Sequence, residues 1–223
     1  MRIIFVRHGE PNYALDCLTE MGVLQAEKAA QRLRSENIDA MFSSPQGRAL
    51  QTAQAASRAY ENMPVEKLDF MHEVSWGSLD GSPLFENGHP WAVSDELIRQ
   101  GYDVMRRDWE SHPLFKNNLV TDCVRLIAGK IDQWLSSLGY EREGLYYRNT
   151  LDGENRRTVA LFSHGGSSTA ALAHITNIPF PYLCTLFHMP FTSLTILRFD
   201  PEPGSLCAPH LELSGDAKHI EGI

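Results

Sequence analysis

The sequence predicts an α/β protein: a three-layer α/β/α sandwich with a mainly parallel central sheet and an insertion covering one end of that sheet. Three observations predict it. Short apolar runs alternate with longer runs of helical periodicity, the pattern of strand–helix–strand units. Several apolar runs stop abruptly at polar residues, as in Arg7-His8-Gly9, Ser43-Ser44-Pro45 and Ser163-His164-Gly165-Gly166. One stretch, about 75–118, is rich in glycine, proline and tryptophan and breaks the alternation.

In chain order, residues 2–7 (RIIFVR) form a first apolar strand. A helix is expected from Thr19 to about Ser35, with Thr19 as its N-cap and Val23, Leu24, Ala26, Ala30 and Leu33 on one face. Ile38 to Ser44 is a second strand. Gly47 to about Tyr60 is an alanine-rich helix, with Pro45 near its start, where a missing N–H costs little. Val65 to Glu73 is expected as a third strand. Within the insertion, a helix is expected from Asp95 to Trp109. Asn118 to Leu138 repeats apolar residues at helical spacing. Asp152-Gly153 carries the signature of a hairpin turn. Thr158 to Ser163 is a buried strand, followed by a helix from Ser167 to Ile175 capped by Ser167 or Ser168. Phe191 to Phe199 is a late strand, and the tail beyond Asp200 has room for one more at the edge. The expected organisation is one domain over 1–223, with the insertion at about 75–118.

Bulk properties narrow the function. The 223 residues suffice for a substantial core. The net charge of −8 argues against a nucleic-acid-binding surface, which would be basic. No apolar run approaches the ~20 residues of a membrane span, and the apolar start is too short for a signal-peptide core. A cytoplasmic protein without nucleic-acid or membrane partners is the expectation. Cys17, Cys123, Cys184 and Cys207 are widely spaced, which fits reduced thiols better than a metal or redox pair. The remaining histidines lack short metal-ligand spacings. No metal and no cofactor is therefore expected.

The strand ends carry the chemistry, because ligands of such sheets bind beyond the carboxyl ends of the strands. If those strands are neighbours, Arg7, His8, Arg48, Glu73 and His164 share one rim. Two arginines offer planar forks that match phosphate oxygens. A neutral histidine can attack phosphorus. A carboxyl group kept protonated can donate to a leaving oxygen. Glu10, if close by, would modulate that acid, and Glu10 or a carboxylate of the insertion is the alternative acid.

These motifs, taken together and in order, resemble the histidine phosphatase superfamily, also called the phosphoglycerate-mutase-like family. Arg7-His8-Gly9-Glu10 is similar to its signature. Ser43-Ser44-Pro45 with Arg48, Ala49, Gln51, Thr52 and Ala53 resembles its second motif. Leu18-Thr19-Glu20 with Gly22, Gln25 and Ala26 resembles the opening of its first helix. His72-Glu73 before Trp76-Gly77 resembles its acid-bearing segment, and Ser163-His164-Gly165-Gly166 its last motif. The matches run from residue 2 to about residue 172.

The resemblance implies a phosphomonoester hydrolase in which His8 becomes phosphohistidine. Arg7, Arg48 and His164 would hold the phosphoryl group with His8, and Glu73 would protonate the leaving group. Glu10, Asn12, Thr19, Trp76 and Gly165 are further candidates for substrate contact. The partner implied is a small phosphorylated substrate; the oligomeric state is open. The chain departs from the family pattern at Ala14, where an asparagine that donates to phosphate is frequent, and at Pro11, where a small hydroxyl residue is frequent. Asn12 is the candidate replacement donor. Two alternatives stand beside the phosphatase. One is a phosphoglycerate-type mutase, which needs extra positive charge at its entrance, such as Arg99, Arg106, Arg107 and Lys116 of the insertion. The other is a module that binds a phosphorylated ligand without turnover. Trp76, Trp91 and Trp109 are read first as packing residues.

Overall fold

A computed structural model describes residues 1–223. Strand β1 (Arg2–Arg7) leads into a small ribbon of β2 (Pro11–Asn12) and β3 (Cys17–Leu18), then helix α1 (Glu20–Leu33). Strand β4 (Ala40–Ser43), α2 (Gly47–Ala59) and β5 (Val65–Lys67) follow. The insertion holds α3 (Pro90–Arg99) and the short α4 (Pro113–Lys116). Then come α5 (Leu119–Ser137), the hairpin β6 (Tyr140–Glu143) and β7 (Tyr146–Asn149), β8 (Thr158–Ser163), α6 (Gly165–Thr176) and α7 (Phe180–Leu186). Strands β9 (Leu194–Arg198), β10 (Leu206–Cys207) and β11 (His210–Asp216) complete the chain. No helix is long and apolar enough to cross a membrane.

The main sheet has the order β11-β9-β1-β8-β4-β5. Strand β8 pairs in parallel with both β1 and β4, and β5 pairs in parallel with β4. Strand β9 runs antiparallel to β1 and to β11. The mainly parallel sandwich expected from sequence is thus the observed architecture. Alternation explains its layers, since successive strand residues point to opposite faces. Ile3, Phe5, Val159 and Leu161 join the core beneath α5, α6 and α7. Ile4, Val6, Ala160 and Phe162 join the core beneath α1 and α2. Each large side chain so buried contributes roughly 1.5–3 kcal/mol.

Five local expectations need correction. Strand β5 ends at Lys67 instead of Glu73, because its partner β4 stops at Ser43 and leaves no backbone to pair with; a 3₁₀ turn at Asp69–Met71 carries the chain on to Glu73. The insertion helix spans Pro90–Arg99, not Asp95–Trp109. Gly101, at φ 74°, ends it: the Gly101 N–H donates to the Ile98 carbonyl and the Tyr102 N–H to that of Leu97. The hairpin turns at Gly144-Leu145, where Gly144 adopts φ 62°; Asp152-Gly153 lies in the connection to β8. Helix α6 begins at Gly165 with His164 in the N-cap position, so Ser167 and Ser168 are inside the helix. The late strand is Leu194–Arg198, shorter than the Phe191–Phe199 expected.

Candidate active site

The C-terminal ends of β1, β8 and β4 are adjacent in the sheet, and each delivers part of one site. His8 follows β1 and is 1 % exposed. Its Nδ1 lies 2.7 Å from the Gly9 carbonyl oxygen, which can only accept, so Nδ1 carries the proton and Nε2 keeps its lone pair. Burial drives the His8 pKa down to about 3, against the backbone bond to Gly9, and the charges of Arg7 and Arg48 push the same way as burial. The imidazole is therefore neutral at neutral pH.

His164 follows β8, with its ring centroid 5.1 Å from that of His8. Its Nε2 lies 2.8 Å from Ser44 Oγ at the end of β4. That hydroxyl accepts from the Gln46 N–H and has its own proton to give to His164 Nε2 in one of the two ring tautomers. In that tautomer Nδ1 carries the ring proton. Burial again lowers the His164 pKa.

Arg7 is held by its Nη1, which donates to the Met189 carbonyl at 2.6 Å, and by the Phe191 ring 4.4 Å from the guanidinium carbon. Arg48, in the first turn of α2, donates from Nη1 to Asp16 Oδ1 at 2.6 Å. Asp16 Oδ2 accepts from the Gly47 N–H, so this carboxylate caps α2 from a distant loop. The approach depends on glycine: a Cβ at residue 47 would stand 2.0 Å from the Asp16 carbonyl oxygen.

In that tautomer three donors at this centre have no partner. Arg7 Nε, Arg48 Nε and His164 Nδ1 are all buried and all unbonded. A buried donor left unpaired costs about 1–3 kcal/mol. Three such donors on side chains grouped around one neutral imidazole describe a cavity organised for an anion.

Glu73 arrives from the segment after β5, its N–H donating to Gln46 Oε1 at 2.7 Å. Its Oε1 accepts from the Val74 N–H at 2.9 Å and from the Ser167 N–H in the first turn of α6 at 3.0 Å. Burial raises its pKa, against those backbone bonds and the charge of Arg7. With Oε1 occupied as an acceptor, Oε2 is the oxygen free to carry a proton. Residue 166 must be glycine here, since a Cβ would meet Val74 Cγ2 at 2.3 Å and Glu73 Oε1 at 2.5 Å.

A cleft of about 370 Å³ opens beside this centre, walled by Arg7, Glu73, Gly165 and Trp76 among others. Two of the further sequence candidates, Trp76 and Gly165, therefore stand at the cleft. Three do not. Asn12 Oδ1 accepts from the Ala14 and Leu15 N–H groups and stabilises its own turn. Glu10 Oε1 accepts from the Thr19 hydroxyl, and Thr19 Oγ1 accepts from the Gly22 N–H as the N-cap of α1. Those two tie the loop after β1 to the first helix. Sequence reasoning missed Asp16, Ser44 as the partner of His164, Tyr13 at the cleft wall, and the Met189 carbonyl. Tyr13 occupies the loop where the family asparagine was sought, with its ring 5.5 Å from the Arg48 guanidinium carbon. No group of three or more His, Cys, Asp or Glu side chains is placed to hold a metal ion.

A family model described as the histidine phosphatase superfamily (branch 1) matches residues 3–111. Over just under half of its length, the chain resembles this superfamily. Its similarity to individual members is spread along its length. It is 25% identical over 215 residues to "Putative phosphoserine phosphatase 2" of Hydrogenobacter thermophilus, covering 92% of this chain and 93% of that protein. In fold it resembles the phosphoserine phosphatase of Entamoeba histolytica in complex with 3-phosphoglyceric acid, with a TM-score of 0.63, 22% identity and 98% of both chains covered. It resembles likewise a mycobacterial glucosyl-3-phosphoglycerate phosphatase in complex with inorganic phosphate, with a TM-score of 0.64, 21% identity and 99% of both chains covered. The chain combines a buried strand-end histidine with its own cleft walls.

Proposed function

We propose that the protein hydrolyses phosphomonoesters through a phosphohistidine on His8. The observation that carries this is the trio of buried, unbonded donors around a neutral nucleophile. A phosphoryl group in the cavity would satisfy Arg7 Nε, Arg48 Nε and His164 Nδ1 together. Catalysis of phosphoryl transfer is mostly positioning plus stabilisation of charge on the equatorial oxygens, and these donors supply both.

The steps follow from the protonation states. His8 Nε2 gives its lone pair to phosphorus as the ester P–O bond breaks. The departing oxygen takes the proton of Glu73, which becomes a carboxylate. That carboxylate then removes a proton from water, whose oxygen attacks phosphorus as the P–N bond breaks. Phosphate leaves, and His8 and Glu73 return to their starting states. The cations are guanidinium groups, so the reading is of a reaction that needs no metal ion.

The mutase alternative is disfavoured by charge. Arg99 pairs with Glu96 and Arg106 with Asp108 on the surface. Arg107 and Lys116 line a hollow whose walls include none of the catalytic candidates. None of the four reaches the cleft. The relatives' names point to small phosphorylated substrates such as phosphoserine or phosphoglycerate esters, and a small phosphate ester is the substrate class proposed here. A cytoplasmic setting belongs to the same reading, supported by four cysteines that form no disulfide.

The test is hydrolysis of phenyl phosphate by the purified protein in EDTA. We expect turnover by the wild type and a loss of at least about 10⁴-fold in kcat for His8→Ala. Wild-type turnover retained by His8→Ala would refute the mechanism. Turnover by neither, with phosphate still bound, would favour the non-catalytic module.

A further inference from the structure

The cleft beside the phosphate centre has a wall chemistry of its own. On one side stands a ladder from the insertion: the Trp76 ring meets His89 edge-on at 4.9 Å, and His89 meets Trp91 at 5.5 Å. On the other side the chain leaving α7 contributes Leu186, Phe187 and Met189. The volume, about 370 Å³, falls within the range of small-ligand pockets. Arg7 is the one arginine or lysine among the lining residues, and Glu73 the one carboxylate. Both are committed to the phosphoryl group and to the leaving oxygen. Burial lowers the pKa of His89, so that ring stands neutral at neutral pH.

A leaving group in this slot meets aromatic faces and apolar side chains, beside the hydroxyls of Tyr13, Thr169 and Thr185 and the exposed His188 ring, with no free arginine or lysine to receive a carboxylate. Phosphoserine and phosphoglycerate esters each carry such a carboxylate. Burying that charge without a guanidinium or ammonium partner is costly, whereas an aromatic ring gains from the aromatic walls. We propose that the Trp76–His89–Trp91 ladder and the Leu186–Met189 segment form a leaving-group site that selects phosphate esters of uncharged aromatic alcohols over those of carboxylated ones. This rests on the hydrolase reading above and names the substrate class of that same site. Trp76 and Trp91, first read as packing residues, are in this view specificity determinants. Trp109 does pack: it is buried and meets Phe115 edge-on at 4.9 Å.

The test compares esters whose leaving alcohols have similar intrinsic reactivity: 2-phenylethyl phosphate, ethyl phosphate, O-phosphoserine and 3-phosphoglycerate. For the wild-type full chain, kcat/KM for 2-phenylethyl phosphate is expected to exceed that for each of the other three by at least about tenfold, one decade of transition-state affinity. Trp76 is 37% exposed, so Trp76→Ala removes little from the core. It is expected to cut the phenylethyl-to-ethyl ratio of kcat/KM by at least about threefold, and Trp91→Leu to do the same. Reading the ratio within one preparation cancels any loss of folded enzyme. Equal kcat/KM for all four esters, a preference for either carboxylated ester, or a ratio unmoved in both variants overturns the proposal while leaving the hydrolase reading intact. Turnover of none of the four overturns both.

Discussion

Helix α6 links two clusters of arginine, histidine and acid, one buried and one half-buried. At its start, His164 sits with His8, Arg7, Arg48 and Glu73. Near its end, His174 Nε2 lies 2.8 Å from Asp132 Oδ2, while the Tyr147 hydroxyl donates to Asp132 Oδ1 at 2.8 Å. Arg142 there donates to the Tyr147 oxygen, the His174 carbonyl and Asn177 Oδ1. The residue types nearly match, yet the hydrogen-bond accounts differ. None of Arg142, Asp132, Tyr147 or His174 has a buried polar atom without a partner, whereas three donors at the other end have none. A closed network spends its polarity on holding the fold together. An open one keeps it for a ligand. Composition alone cannot tell the two apart; satisfaction of the donors can.

That contrast can be broken most severely at the open end. Arg48→Ala removes a guanidinium from the cavity and strands Asp16; kcat/KM for a phosphate ester should fall by about 10²–10³-fold, measured by steady-state kinetics. Next comes Glu73→Gln, which keeps the acceptor at Oε1 and loses the proton. Turnover of an alkyl ester should fall about 10²-fold. Stability moves the other way. The folded pKa of Glu73 lies above its unfolded value, so its contribution is full below about pH 4.5 and is lost as pH rises through the folded pKa. At pH 7.5 the glutamine variant should therefore melt at a higher temperature than the wild type. The same trade between activity and stability is common at sites built for function.

A pH titration of stability comes third. The folded pKa of His8, about 3, lies below the unfolded value of 6.5. Its contribution is present above pH 6.5 and is lost as pH falls toward 3. Between pH 6.5 and 5 this one group should withdraw on the order of 2 kcal/mol, seen as a fall in the urea midpoint that is smaller by that amount in His8→Ala. The smallest effect belongs to the closed network. Asp132→Ala should cost about 1–3 kcal/mol in chemical denaturation and leave kcat/KM within about twofold. A large loss of activity there would show that the two ends of α6 are not independent.

Much of the open end is legible from sequence because its residues sit beside strand ends. Arg7 and His8 follow an apolar run, and His164 precedes a diglycine. Such signals are local. Asp16 was not legible, because its role arises when a loop folds across thirty-odd residues onto the start of α2. The Met189 carbonyl left no trace, since every residue supplies one. Asn12 reads in sequence as a donor to phosphate, but its side chain turns to its own loop, where Oδ1 accepts from the Ala14 and Leu15 N–H groups. The Trp91 ring was indistinguishable from core until the insertion was seen to fold its start against the cleft. The strand before Glu73 was drawn too long because edge pairing depends on where the neighbour ends, which no single segment reveals.

The position of β8 between β1 and β4 has a consequence for how the protein is made. The two strands that bear His8 and Ser44 leave the ribosome more than a hundred residues before the strand that joins them. Until β8 emerges, each presents an open edge of unpaired N–H and C=O groups to the crowded cell. The pocket cannot assemble before β8 emerges, and Met189 and Phe191, which hold Arg7, follow later still.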